Sequence, residues 1–380
     1  MSKLIRLLSI WPAVMCLLCM SVLPAFCQSP PSTESQNSVV KGPPFFVIGV
    51  WYQPSYTFDR WKARGINTML GYESLSNTVP FKKWNADLAA KGLYTIRKPQ
   101  GDLVQDSRDP RLLAWKFDDE PDLADKRGKL GSDPVSLLMR YHEMKAAAPN
   151  VPVLINLSGG EVRGVAQTGQ ESLRAKYQAY CQAADWISQD LYPVTGWVRP
   201  DWIDLSLPIA LPQREPERYT IGWTLDKLRE LSGGKPQFQI LECSNQNLPW
   251  LPADKRRSPT AAEFRGEVWH AVIHGAVGIS YFPQQIGGGF KFDATPPDVE
   301  REMIANNRVL GELSEVLLAP GERMDVAAPF EAATRRFNDA VYTFVLNFSS
   351  KPTTYNGERF GPYEVRISRG QEVLKRLSAA

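Results

Sequence analysis

Histidine is scarce in this chain of 380 residues, which contains only three, and cysteine is little commoner at five. Three of the cysteines, Cys16, Cys19 and Cys27, fall in the first 27 residues, so Cys181 and Cys243 alone remain for the rest of the chain. That leaves no metal-type cysteine cluster and no disulfide framework. Cys181 falls in an expected helix and Cys243 at an expected strand end, so two separate buried thiols are expected. An excess of charge of either sign is missing too, with 44 basic residues against 41 acidic, and nothing suggests nucleic acid or another polyanion as a partner. The chain also lacks a G-x-S-x-G elbow, a P-loop and a dinucleotide fingerprint, which argues against esterase and nucleotide chemistry.

The histidines that exist are of limited promise. His270 and His274 are spaced i, i+4, as a metal would require, but Ala-Val-Ile separates them. Their helix must bury one face, so packing is their expected role and no metal or other cofactor is expected. His142 has charged neighbours and reads as a surface residue.

What is present begins with a leader. Lys3 and Arg6 precede the apolar stretch LLSIWPAVMCLLCMSVLPAF and the pattern Ala25-x-Cys27, which reads as a secretory signal over residues 1–27. A spanning helix is the competing reading, given the length of the stretch. Pro12, Pro24 and the polar segment that follows favour cleavage, with no stable membrane insertion afterwards. Export to the periplasm or the medium is therefore expected. Residues 28–41, rich in Ser and Pro, read as a linker.

From Phe45 onward, short apolar runs alternate with helix-like segments. Runs ending near Trp51, Gly71, Arg97, Phe117, Asn156, Tyr192, Glu242 and Phe282 read as eight strands. The intervening helices stop at glycines such as Gly65, Gly92 and Gly233-Gly234. Eight such units over residues 42–318 predict a (β/α)8 TIM barrel. Residues 319–380 change character: FEAATRRF, AVYTFVLNFS and YEVRIS are β-rich, with turn chemistry at Asn338-Asp339 and Asn356-Gly357. A small C-terminal antiparallel β-domain is expected there.

In a barrel the C-terminal strand ends form one rim, where residues distant in sequence converge. Two carboxylates sit at such ends. Glu120 follows the fourth strand in LLAWKFDDEP, and Glu242 ends the seventh in QFQILECS. Strand alternation puts Glu120 on the inner side with Lys116 and Asp118, and puts Glu242 inward with Phe238 and Ile240. Pro121 stops the fourth strand and fixes the turn that presents Glu120. Two carboxyl groups about 5–5.5 Å apart suit glycosidic bond cleavage with retention, one as acid/base and the other as nucleophile.

The arrangement resembles the large clan of (β/α)8 glycoside hydrolases whose acid/base follows strand four and whose nucleophile follows strand seven, several with a small C-terminal β-domain. The resemblance implies Glu120 as acid/base, Glu242 as nucleophile, and an oligosaccharide or polysaccharide as substrate. In the clan an Asn that contacts the sugar 2-hydroxyl usually precedes the acid/base; here Asp119 stands in its place. Further candidates for binding sugar hydroxyls and ring faces are Trp51, Tyr52, Glu73, Lys98, Asn156, Asp190, Tyr192 and Tyr281, all near strand ends. Tyr192 leads this group, since Asp190-x-Tyr192-Pro193 resembles the strand-six end of many clan members. A barrel that binds carbohydrate without cleaving it, and a transglycosidase using the same two glutamates, remain open alternatives.

Overall fold

A computed structural model describes residues 41–72, 79–122, 132–158, 171–195, 221–248 and 256–378. The leader and nearly all of the linker lie outside these residues. No helix among the described residues is long and apolar enough to cross a membrane.

Eight parallel strands close into a barrel. They are β1 (Val47–Trp51), β2 (Thr68–Leu70), β3 (Tyr94–Arg97), β4 (Leu112–Lys116), β5 (Val153–Ser158), β6 (Trp186–Asp190), β7 (Gln237–Glu242) and β8 (Ala276–Phe282). Each pairs with its neighbour in sequence, and β8 returns to β1 with Gly278 opposite Val47 and Tyr281 opposite Val50. Nearly every residue of these strands is buried, polar ones included, as expected of strands covered on both sides. One set of alternate residues, including Val47, Trp51, Leu70, Ile96, Ala114, Leu154, Trp186, Phe238 and Ile240, fills the barrel. The other set packs under the helices.

The helical layer comprises α1 (Phe58–Ala63), α2 (Phe81–Ala90), the single turn α3 (Leu103–Asp106), α4 (Pro134–Ala147), α5 (Glu171–Gln182), α6 (Ile221–Leu231), α7 (Ala261–Ile273), α8 (Pro297–Glu312) and α9 (Ser314–Leu318). Local chemistry fixes the helix starts. Asp133 caps α4 by accepting from the Val135 and Ser136 amides, with Pro134 in the first turn. Thr260 and Glu263 form a reciprocal capping box at α7. The last two helices, α8 and α9, meet at Leu313.

The C-terminal residues form a five-stranded sheet built mainly on β10 (Phe330–Phe337), β11 (Ala340–Asn347), β14 (Val365–Arg369) and β15 (Glu372–Leu377), with the short β9 (Arg323–Met324) at one edge. A separate hairpin pairs β12 (Thr353–Tyr355) with β13 (Glu358–Phe360). Asn338 and Asp339 join β10 to β11, and Asn356 and Gly357 join β12 to β13, all at positive φ. Such residues match the twist of a two-residue hairpin turn. The sheet packs on α7. Trp269 stacks on Phe344 at 6.2 Å, and buried Arg265 donates to the carbonyls of Tyr363 and Pro362 while pairing with Glu302. Cys181 and Cys243 are both buried and unpaired, and burial pushes both thiols up, Cys181 to about 12.

Candidate active site

The backbone marks the rim. Outside the β-domain, the non-glycine residues at positive φ among the described residues are Tyr52, Glu120, Gln246 and Asn247. They follow β1, β4 and β7 respectively. Such a conformation is uncommon and costs on the order of 1–3 kcal/mol, so it persists where surrounding contacts impose it. At Glu120 the constraint is tighter, because the residue before a proline is itself restricted. The Glu120 amide donates to the Asn156 carbonyl at 3.1 Å, tying the turn to β5.

Glu120 is partly buried and its carboxyl group has no hydrogen-bond donor among the described residues. Burial, followed by the nearby charges of Asp119 and Asp122, pushes it from 4.5 up to about 8. It is therefore a carboxylic acid at neutral pH, able to donate a proton. Asp122 is held apart from this role by the Ser158 amide at 2.9 Å and the Tyr177 hydroxyl at 2.6 Å.

Beside Glu120, three sequence candidates form one network. Asn156 donates from its amide nitrogen to Asp119 at 2.9 Å and to Asp190 at 3.0 Å. Burial raises the Asp190 carboxyl well above its usual range, and Asp119 and Glu120 raise it further. The Asn156 bond and the charge of Lys116 act in the opposite direction. Tyr192 is buried with its ring 5.7 Å from Phe282. Burial, then Asp190 and Glu120, keep its phenol firmly protonated.

Lys116 was not among the sequence candidates. It is 1% exposed on the inner face of β4, donates to the Tyr52 hydroxyl at 2.8 Å, and stands over the rings of Trp51 and Tyr52 at 4.9 and 5.1 Å. Trp51 is thus the floor beneath this ammonium rather than an open platform. The Tyr52 ring lies over Gly71, where a Cβ would meet it at 1.8 Å; only glycine leaves room for it. A lysine at an inward position of an apolar strand is a signal the sequence carries. Lys116→Met is expected to cost about 3 kcal/mol, because it strips the cation from buried Asp190. Denaturant unfolding over a series of pH values checks this, and the loss should shrink as pH falls and Asp190 takes up a proton.

Glu242 sits differently from Glu120. It is fully buried, and its two carboxylate oxygens accept from the backbone amides of Val194 and Thr195 at 2.5 and 2.6 Å. Its carboxylate faces Glu267 of α7, which sequence reading also missed. Burial pushes both groups up. The Glu242 charge pushes Glu267 much further, while the two amides and Glu267 itself hold Glu242 down. Of the two, Glu242 is the more readily ionised.

The remaining candidates separate. Lys98 pairs with the exposed Asp118 across the rim. Tyr281 is displaced from the site: its hydroxyl donates to Asn307 at 2.6 Å and its ring packs on Phe264 under the helical layer. Strand alternation explains this, since Ser280 and Phe282 take the inner positions of β8. Glu73 lies outside the described residues.

No protein-family model and no curated protein matches this sequence. Among solved structures, the chain is similar to a glycoside hydrolase family 5 protein from Bacteroides vulgatus, with a TM-score of 0.51, 13% identity and coverage of 81% of this chain and 78% of that one. It is also similar to a structure described as a glycoside hydrolase, with a TM-score of 0.50, 12% identity, and coverage of 86% and 89%. A β-galactosidase from the psychrophilic Marinomonas ef1 aligns with a TM-score of 0.47 and 13% identity, covering 69% of this chain and 59% of that one. This chain thus spans about six-tenths of that β-galactosidase's length. At these identities the likeness is one of fold, and the fold is the eight-stranded barrel that glycoside hydrolases use.

Proposed function

We propose that this chain is an exported glycoside hydrolase acting on an oligosaccharide or polysaccharide by a retaining double displacement. The observation that carries the reading is Glu120, a carboxyl group at the end of β4 that burial and the charges of Asp119 and Asp122 push up to about 8, on the same rim as Glu242 at the end of β7, whose two oxygens accept from backbone amides. The chemistry requires one of the two groups to carry a proton and the other to ionise. Glu120 gives its proton to the glycosidic oxygen as the C–O bond breaks, and the Glu242 carboxylate attacks the anomeric carbon to form an ester. Glu120, now ionised, takes a proton from water as that water cleaves the ester, which restores both groups. Asp119, Asn156 and Asp190 supply acceptors and donors for sugar hydroxyls beside Glu120.

Export rests on the leader over residues 1–27. Because Glu242 has no exposed surface, attack requires residues 193–195 to withdraw and release its oxygens. The same burial favours a second reading, a barrel that binds carbohydrate without cleaving it. Incubation with a mixed glycan panel followed by mass spectrometry decides between them. Release of reducing ends supports the hydrolase, longer products mark a transglycosidase, and retention of intact glycan without products supports the binding protein.

A further inference from the structure

The second cluster of chemistry-bearing side chains lies away from the rim, where α6, the end of α7 and the β-domain meet. His270 on α7 and His274 at its C-terminal cap are 1% and 4% exposed. His270 stacks on Phe348 at 4.0 Å and meets His274 edge to face at 4.5 Å. Nδ1 of His270 and Nε2 of His274 have no hydrogen-bond partner among the described residues. Leaving buried ring nitrogens unsatisfied costs about 1–3 kcal/mol each, so packing alone is a poor account of two histidines here.

The two rings meet over the bare backbone of Gly222 on α6, where a Cβ would lie 2.5 Å from Nε2 of His274, one of the unsatisfied atoms, and 2.6 Å from Nε2 of His270. Glu331 of β10 closes the third side, 3.6 Å from Nε2 of His274. One donor atom from each of His270, His274 and Glu331 lies within 4.8 Å of the others. Tetrahedral zinc with bonds of about 2.0–2.2 Å has ligands roughly 3.3–3.6 Å apart, so the His274–Glu331 edge already fits and the remaining edges need a small rotation of His270.

The surroundings complete the pattern. Asp226 of α6 bonds Nδ1 of His274 at 2.7 Å, which fixes the ring with Nε2 turned toward Glu331. A carboxylate behind a ligating histidine is the usual way a protein orients a metal ligand. Arg323 of β9 bonds both Asp226 and Glu331, placing a positive charge beside the cluster. Its side chain is 42% exposed and can swing to solvent when a cation takes its place.

We infer that His270, His274 and Glu331 form a binding site for a divalent first-row cation, zinc by its two imidazoles and one carboxylate. The site clasps the barrel helices to the C-terminal β-domain, and it stands independently of the function proposed for the rim. The test uses the full mature chain, stripped with chelator and titrated with Zn²⁺ by calorimetry, with metal content measured after dialysis. One equivalent should bind and raise the melting temperature. His270→Gln should lose about 100-fold in affinity, and Arg323→Gln should bind roughly tenfold more tightly, since a competing charge is removed. Arg323→Gln touches no core residue and so tests the site even where the histidine variant fails to fold. Absence of stoichiometric binding to the unmutated chain, or equal binding by a folded His270→Gln protein, overturns the inference.

Discussion

Glu120→Gln is expected to slow turnover by about 10²–10⁴-fold while making the protein more stable at pH 8. The two effects have one cause. In the folded chain Glu120 holds its proton up to about pH 8, against an ordinary value of 4.5. Between these values the folded state binds the proton and the unfolded state does not. Its stabilising contribution is complete below about pH 4.5 and is lost as pH rises through 8. A shift of this size corresponds to at most about 5 kcal/mol, and relaxation of a partly exposed site leaves roughly 1–3 kcal/mol. Glutamine cannot ionise, so the variant escapes the loss. Its melting temperature should exceed that of the unmutated chain by about 2–5 °C at pH 8 and match it at pH 4. On the proposed mechanism, kcat/KM of the unmutated chain should fall as pH rises through about 8, as the acid gives up its proton. A variant with the same pH dependence of stability as its parent would show that Glu120 is not the group being held protonated.

The sequence carries this site unevenly, and the reason is geometric. The eight apolar runs mark the strands because each is buried on both faces, and period-two alternation then puts Lys116 and Glu242 on the inner side. The hairpin turns at Asn338-Asp339 and Asn356-Gly357 are equally plain, because positive φ selects those residues. Contacts between strands are another matter. That Asn156 bridges Asp119 and Asp190 depends on the register of β4, β5 and β6, with Lys116 opposite Leu154 and Ser158 opposite Asp190, and no local pattern encodes register. Tyr281 was misplaced by proximity to a strand end, although alternation along β8 would have turned it outward. Glu267 carries no signal at all, since a glutamate in a helix reads as a solvated face until the fold presses it against Glu242. The same holds for Glu331, which reaches the two histidines only because the β-domain docks on α7.

Glu242→Ala is expected to reduce turnover of the glycan identified in the panel by more than about 10³-fold, equivalent to roughly 4 kcal/mol of lost transition-state stabilisation. That result alone does not identify a nucleophile. The substitution also leaves the Val194 and Thr195 amides without their acceptors, which costs about 1–3 kcal/mol of stability. Chemical rescue separates the two effects. In a retaining enzyme, azide enters the space the carboxylate vacates and attacks the anomeric carbon of an activated aryl glycoside, expelling the phenolate. The product is a glycosyl azide with inverted configuration, detected by NMR. A folded Glu242→Ala protein that yields no such azide would make Glu242 a structural anchor for residues 193–195 and favour the binding protein. Glu267→Gln supplies the complementary measurement. Glutamine is a neutral stand-in for the protonated Glu267 acid and leaves the charge on Glu242, so turnover at neutral pH should change by less than about tenfold. A loss as deep as that of Glu242→Ala would mean that the working charge resides on Glu267, one helix behind the rim, where no sugar reaches it.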